Sequence, residues 1–191
     1  MTVEHPIIEV SSNRDLTKSY ENVKSDLPEY WTRDEVHAIL DKVTDAGHRM
    51  LFTYLWMSGN RITEALSLKR RDLDFDGFMI TIRWLKNRKF NSRNVPMHPN
   101  LRQLLQLYCS NMKSDDLIFD ISRQRAWQLC QKYANANPHK FRHSFAVNWL
   151  KCGGSLVILS QILGHSDIKV TMEYLRIVPI EQGQELLKVT F

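Results

Sequence analysis

The sequence predicts a mainly helical α+β domain with one small antiparallel sheet, on three observations. Apolar residues recur at helical spacing over most of the 191 residues. Between Asp72 and Met97 that period changes to two, and from Asn100 onward the helical pattern returns. The length suits one ordinary domain or two very small ones. A hydrophobic fraction of 43% with 25% charged residues supports a packed core and excludes a disordered or fibrous chain.

Residues 1 to 28 hold no sustained periodicity and end in Asp26-Leu27-Pro28, so they read as an arm or linker. Thr32-Arg-Asp-Glu35 has capping-box spacing, and Val36, Ile39 and Leu40 then share a face, which starts a helix near Thr32. An apolar helix follows from about Arg49 to Met57. Ser58-Gly59-Asn60 interrupts it, and Arg61 to Leu68 resumes with Ile62, Ala65 and Leu66 inward, placing Arg61 at a helix N-terminus. Phe78, Ile80, Ile82 and Trp84 alternate after an Asp76-Gly77 turn, and Asn94 to Met97 closes a further extended stretch. The tip between them, Leu85 to Arg93, is polar and basic, as a solvent-facing loop would be. Helices are expected at about 100 to 111, 122 to 135, 139 to 151, 155 to 163 and 167 to 175, with a last one near 180 to 188. No internal repeat or second domain boundary is evident.

Several function classes fall away on composition. No apolar run approaches the length that spans a bilayer, and the first residues lack a signal-peptide pattern, so the expectation is a soluble, cytoplasmic protein without a membrane partner. Cys109, Cys130 and Cys152 are odd in number and lack metal-ligand spacing, which supports neither a disulfide framework nor a structural zinc. A net charge of +5 and a pI near 9.2 permit a polyanionic partner. Basic residues gather in Lys69-Arg70-Arg71 and in Arg83, Lys86, Arg88, Lys89 and Arg93, a rim able to track a phosphate backbone by releasing counterions.

A sharper signal is the order Arg61, Lys86, His139, Arg142, His143, His165 and Tyr174. His139 and Arg142 stand three apart, so on a helix both project from one face. Gly164-His165-Ser166 ends one helix and begins another, and Tyr174 follows nine residues after His165. Such a set suits phosphoryl transfer to tyrosine. Arginine forks match non-bridging phosphate oxygens and stay charged, so a pair can stabilise a pentacoordinate transition state without a metal. A phenol needs an acceptor or a positive field before it attacks, and a departing sugar oxygen needs a proton that a mobile lysine can supply. No carboxylate cluster or Gly-rich phosphate loop suggests a metal or nucleotide cofactor.

At these residues the sequence resembles the tyrosine recombinases, the phage integrase family. Ser58-Gly-Asn-Arg-Ile-Thr-Glu-Ala-Leu66 resembles the family's first arginine box, with Glu64 its acidic residue. His139-Lys-Phe-Arg142-His143-Ser-Phe-Ala146 resembles the second box, and Leu163-Gly-His165-Ser-Asp-Ile-Lys-Val-Thr-Met-Glu-Tyr174 the third. The resemblance runs from about Leu27 to the end, the extent of the family's catalytic domain, with residues 29–191 as that domain and its N-terminal core-binding domain absent. The chain is then a catalytic fragment or a short member like the fimbrial switch invertases.

The resemblance implies a site-specific recombinase acting on double-stranded DNA without metal, ATP or other cofactor. Tyr174 would form a 3′-phosphotyrosyl link and free a 5′-hydroxyl. Arg61, Arg142, His139 and His165 would hold and activate the phosphate, and Lys86, in preference to Lys89, would be the general acid. Glu64 and His143 are supporting candidates, and Lys69, Arg70, Arg71, Arg88, Lys89 and Arg93 candidate DNA contacts. Assembly as a tetramer on DNA is expected through the tail 175–191. Two rivals share the residues: relaxation of the type IB topoisomerase kind, and a non-catalytic DNA-binding regulator on the same fold. Two departures from the pattern, Asn60 before the first arginine and Phe141 in the second box, remove no reactive group.

Overall fold

A computed structural model of the chain describes residues 28–86 and 89–177, with the side chains of 85, 86, 89 and 90 outside the description. Helix α1 (Arg33–Lys42) opens on the expected capping box: Thr32 Oγ1 accepts from the Glu35 amide and Glu35 Oε2 accepts from the Thr32 amide. Helix α2 (Ala46–Ser58) begins three residues before the periodicity suggested, because Asp45 Oδ1 accepts from the His48 amide at 2.8 Å and so caps it. It ends at Gly59, whose φ of 65° few other residues adopt without strain. Arg61 then caps the short α3 (Ile62–Leu66), with Glu64 Oε2 accepting its amide at 2.9 Å.

A 3₁₀ turn (Arg70–Asp72) leads into a three-stranded antiparallel sheet of β1 (Leu73–Asp74), β2 (Met79–Lys86) and β3 (Lys89–Pro96), in the order β1-β2-β3. Ile80 faces Val95 and Ile82 faces Arg93 across the β2–β3 ladder, which runs out to Lys86 opposite Lys89. The expected nine-residue tip loop is therefore largely strand: the alternation that weakens after Trp84 does not end the pairing. Ile80, Ile82 and Val95 are buried, so the face they share points to the core.

Five further helical segments follow: α4 (Pro99–Tyr108), α5 (Arg123–Ala134), α6 (His139–Lys151), α7 (Leu156–Leu163) and the one-turn α8 (Ile168–Met172), which continues into a 3₁₀ turn (Glu173–Arg176). The expected helix over 167 to 175 thus tightens to 3₁₀ at Glu173. The arm before Pro28 and the helix expected near 180 to 188 lie outside the described residues.

One large apolar core joins α1, α2, the sheet, α4, α5 and the start of α6. Within it Phe141 packs on Trp31 and Phe52, with ring centroids 4.9 and 5.1 Å apart, so its ring fills core space. A second, smaller cluster comprises Ala146, Val147, Leu150, Leu159, Leu163, Tyr174 and Ile177. The two meet along α6, and the polar groups of interest lie at that junction. No helix among the described residues is long and apolar enough to cross a membrane.

Candidate active site

Two helix ends and one helix start converge. Helix α6 begins after Pro138, and its first turn presents His139 and Arg142 while Phe141 points into the core. Arg142 is buried at 4% exposure. Its Nη1 donates to the carbonyl of Gly59 at 2.9 Å, and its Nη2 donates to the carbonyl of Leu163 at 2.8 Å. Both acceptors sit where a helix ends on a left-handed glycine, at Gly59 and Gly164, leaving terminal carbonyls for the guanidinium. Arg61 Nη1 reaches the same Leu163 carbonyl at 3.4 Å. The two arginines, 81 positions apart in sequence, thus meet at one oxygen.

His165 lies against them. Its Nε2 is 2.9 Å from Arg142 Nη2 and its Nδ1 is 2.8 Å from Thr171 Oγ1. Arginine only donates, so Nε2 accepts, the proton sits on Nδ1, and that N–H donates to the buried threonine. Burial, then the positive fields of Arg142, Arg61 and Arg93, hold the imidazole down to about 4, so it is neutral at pH 7. His139 is lowered too, by burial and then by Arg142, Arg61 and Arg123, which places it in the same field. Burial and Arg61 bring Arg142 down to about 10, which still leaves it charged at neutral pH.

Tyr174 is 3% exposed, packed in the second cluster, with its hydroxyl 2.8 Å from His143 Nδ1. Burial raises the phenol and outweighs the pull of Arg142 and Arg61. Burial, followed by His139 and Arg142, holds His143 at about 4. A neutral imidazole is therefore in hydrogen-bond contact with a neutral phenol, beside two cations.

A sequence profile of the phage integrase family matches residues 29–179. The chain belongs to the phage integrase family. Among curated relatives, the tyrosine recombinase XerA of Thermococcus onnurineus is 33% identical over 178 residues, 81% of this chain and 62% of the relative. A putative integrase/recombinase y4qK of Sinorhizobium fredii is 30% identical, over 79% of this chain and 53% of its own length. The chain thus spans roughly half to two thirds of these relatives. The fold matches the crystal structure of XerA recombinase with a TM-score of 0.66 at 23% identity, covering 84% of this chain and 65% of that one. It matches the catalytic domain of bacteriophage HP1 integrase with a TM-score of 0.64 at 21% identity, covering 84% and 94%.

In this phage integrase domain Arg61 and Arg142 meet at the Leu163 carbonyl, His165 contacts Arg142, and His139 lies in the field of both arginines. His143, expected only as support, is the residue in contact with the Tyr174 hydroxyl. The backbone of Lys86 ends the β2–β3 ladder, while its side chain and those of Arg88 and Lys89 lie outside the description. Of the expected DNA contacts, Lys69 and Arg71 pair with Asp115, and Arg70 lies 4.6 Å from the centre of the Phe75 ring. Arg93 corrects the expectation. Rather than standing on a solvent-facing tip, it is 13% exposed, donating to Glu64 Oε1 at 3.0 Å and Oε2 at 2.9 Å, to Asn60 Oδ1 at 3.3 Å and to the Ile162 carbonyl at 3.2 Å. The signal was available: Arg93 shares strand parity with the buried Val95. Thr171 and Asn60, both buried and hydrogen-bonded in the site, were not singled out as functional, because an isolated Thr or Asn carries no pattern.

Proposed function

We propose that residues 29–191 form the catalytic domain of a site-specific DNA recombinase or integrase, which breaks and rejoins double-stranded DNA in the cytoplasm through a tyrosine-linked intermediate. The observation that carries this reading is the convergence of Arg61 and Arg142 on the Leu163 carbonyl, with His165 and the Tyr174 segment beside them. The two guanidinium groups that this main-chain oxygen draws together keep further N–H donors with which to receive phosphate oxygens. Solved neighbours described as XerH bound to difH substrate and as Tn1549 integrase with circular intermediate DNA support DNA as the partner.

The chemistry balances on these residues. The phenolic oxygen of Tyr174 attacks the scissile phosphorus; an O–P bond forms to tyrosine and the P–O5′ bond breaks. The phenol's proton passes to a neutral imidazole, and the departing 5′-oxygen takes a proton from a hairpin lysine, for which Lys86 is the candidate. Arg61 and Arg142 hold the non-bridging oxygens as charge builds in the transition state. Reversal by another strand's 5′-hydroxyl rejoins the DNA, because the bond's free energy is kept in the phosphotyrosine. Lys69, Arg70 and Arg71, with Arg88 and Lys89 on the hairpin, are the candidates for tracking the flanking backbone; the single carboxylate of Asp115 offsets only one of the first three charges.

Assembly belongs to the same proposal. A cleft of about 1200 Å³ lies between α1, α2, α4 and α6, with Met50, Trp56, Leu104, Leu107 and Trp149 in its wall. Its occupant is the apolar tail of a neighbouring copy in a DNA-bound tetramer, from the segment bearing Ile180, Leu186, Leu187 and Val189.

The test is incubation with a pool of nicked duplexes of randomised sequence, in which the cleaved fragment is lost and the covalent state is trapped. The wild-type chain is expected to yield a protein–DNA adduct with a selected sequence, and Tyr174→Phe none. Absence of any adduct from the wild type would favour the regulator. Relaxation of plasmid without exchange between two copies of the recovered site would favour the topoisomerase-like activity.

A further inference from the structure

Beneath the arginine pair lies a buried polar chain. Tyr54 Oη accepts from Asn60 Nδ2 at 2.6 Å, Asn60 Oδ1 accepts from Arg93 Nη2 at 3.3 Å, and Arg93 forks onto both oxygens of Glu64. Glu64 is 8% exposed and also takes the Arg61 amide on Oε2 and Arg61 Nη1 on Oε1. One carboxylate is therefore shared by two guanidinium groups of different exposure, 37% for Arg61 and 13% for Arg93.

The charge count decides what this sharing does. A buried carboxylate with a single cation beside it pairs tightly with that cation, since low polarity strengthens the attraction and offers no water in its place. Were Arg61 alone, Glu64 would draw its fork inward and offset the positive charge a phosphate needs. With Arg93 present, two cations face one anion and one net positive charge remains. It remains on the more exposed partner: among the described residues, no hydrogen bond engages Arg61 Nε or Nη2. Arg93 itself cannot turn outward, because Nε is held by the Ile162 carbonyl and Nη2 by Asn60.

We propose that Arg93 is a positioning residue which, by occupying both oxygens of Glu64, keeps the charge of Arg61 available to a substrate phosphate. The proposal deepens the strand-transfer reading and takes its substrate from it. Asn60 gains a reason through the same geometry: an apolar side chain there could not accept from Arg93, nor satisfy the buried Tyr54 hydroxyl.

The test compares wild type, Arg93→Met, Glu64→Gln and the double variant by titrating inorganic phosphate into the pocket, followed through the ¹⁵N-labelled arginine side-chain resonances. The same four proteins are then assayed for adduct formation on the nicked duplex that the wild type selects. Arg93→Met is expected to weaken phosphate binding and slow adduct formation by about tenfold or more, because Glu64 then captures Arg61. Removing the carboxylate as well should restore both to within a few-fold of Glu64→Gln. That rescue separates the proposal from two alternatives. A residue that merely supports the fold, or one that contacts the DNA backbone directly, would not be rescued by losing Glu64, and a backbone contact would lower the salt dependence of DNA binding.

If Arg93→Met does not fold, Arg93→Lys serves in its place, with Glu64→Gln again expected to improve it. Equal phosphate binding by wild type and the Arg93 variant, no gain in the double variant, or no uptake of phosphate by the wild-type pocket would each overturn the proposal. A wild type that binds phosphate with this pattern yet forms no adduct on DNA would overturn the strand-transfer reading and leave Arg93's role standing.

Discussion

A buried phenol reacts slowly unless something receives its proton, and the group in contact with Tyr174 is His143. At about 4, the ring is uncharged throughout the neutral range, so the tautomer with its hydrogen on Nε2 can take the phenol's proton at Nδ1. Replacing His143 with Phe is expected to slow adduct formation roughly tenfold and to move the rate profile toward higher pH, where the phenol ionises unaided. A pH–rate series on the selected duplex checks this. The same depressed value has a consequence for stability. Between the ordinary 6.5 and about 4, the unfolded histidine binds a proton that the folded one refuses, so stability falls as pH is lowered through that window. For His143 the loss is about 2 kcal/mol after discounting for the ring's partial exposure, and His143→Phe should flatten the dependence of melting temperature on pH. Arg61, Arg142, His165 and Tyr174 stand out in the sequence because each lies in a short contiguous box that resembles one of the family's. The contact of His143 with Tyr174 joins residues 31 apart, and that of Arg93 with Glu64 spans 29. Spacing within a helix says nothing about such pairs.

At the level of elements, the pocket is made from helix ends. Helices α2 and α7 each stop on a glycine in the left-handed region, and each hands a terminal carbonyl to Arg142. A Cβ at Gly59 would overlap the Phe145 ring, and the φ of 65° disfavours any side chain. Gly59→Ala is therefore expected to cost about 2 kcal/mol or more in thermal or urea unfolding, and to weaken phosphate binding by shifting the Gly59 carbonyl. These boundaries were readable from Ser58-Gly59-Asn60 and from Gly164, since glycine after a periodic run is a strong stop signal. The extent of the hairpin is less evident in the sequence. Polar residues from Lys86 to Arg93 look like loop in composition, but backbone pairing does not depend on polarity, and the ladder continues to Lys86 and Lys89.

For the molecule as a whole, the unequal cores matter. The larger one holds the scaffold, while the 3₁₀ turn that carries Tyr174, the proposed nucleophile, is packed against the smaller cluster of Leu150, Leu159, Leu163 and Ile177. Deletion of residues 179–191 removes no residue of a described element, and is expected to abolish cooperative assembly on DNA while monomer binding persists. Gel shifts or analytical ultracentrifugation with the selected duplex would check this, and undiminished cooperativity in the truncated chain would dismiss tail exchange.

The acceptor shared by Arg61 and Arg142 is a peptide oxygen, that of Leu163. Codon changes at position 163 alter what hangs from the backbone and leave that atom in place, so drift cannot erase the meeting point by swapping one residue for another. Only a displacement of the chain itself can, and a side chain at Gly164 would force one, since φ is 65° there and a Cβ would stand 2.9 Å from the Arg93 guanidinium. Sequence variation here should therefore be confined to apolar side chains at 163, which is buried in the smaller core, and punished at 164.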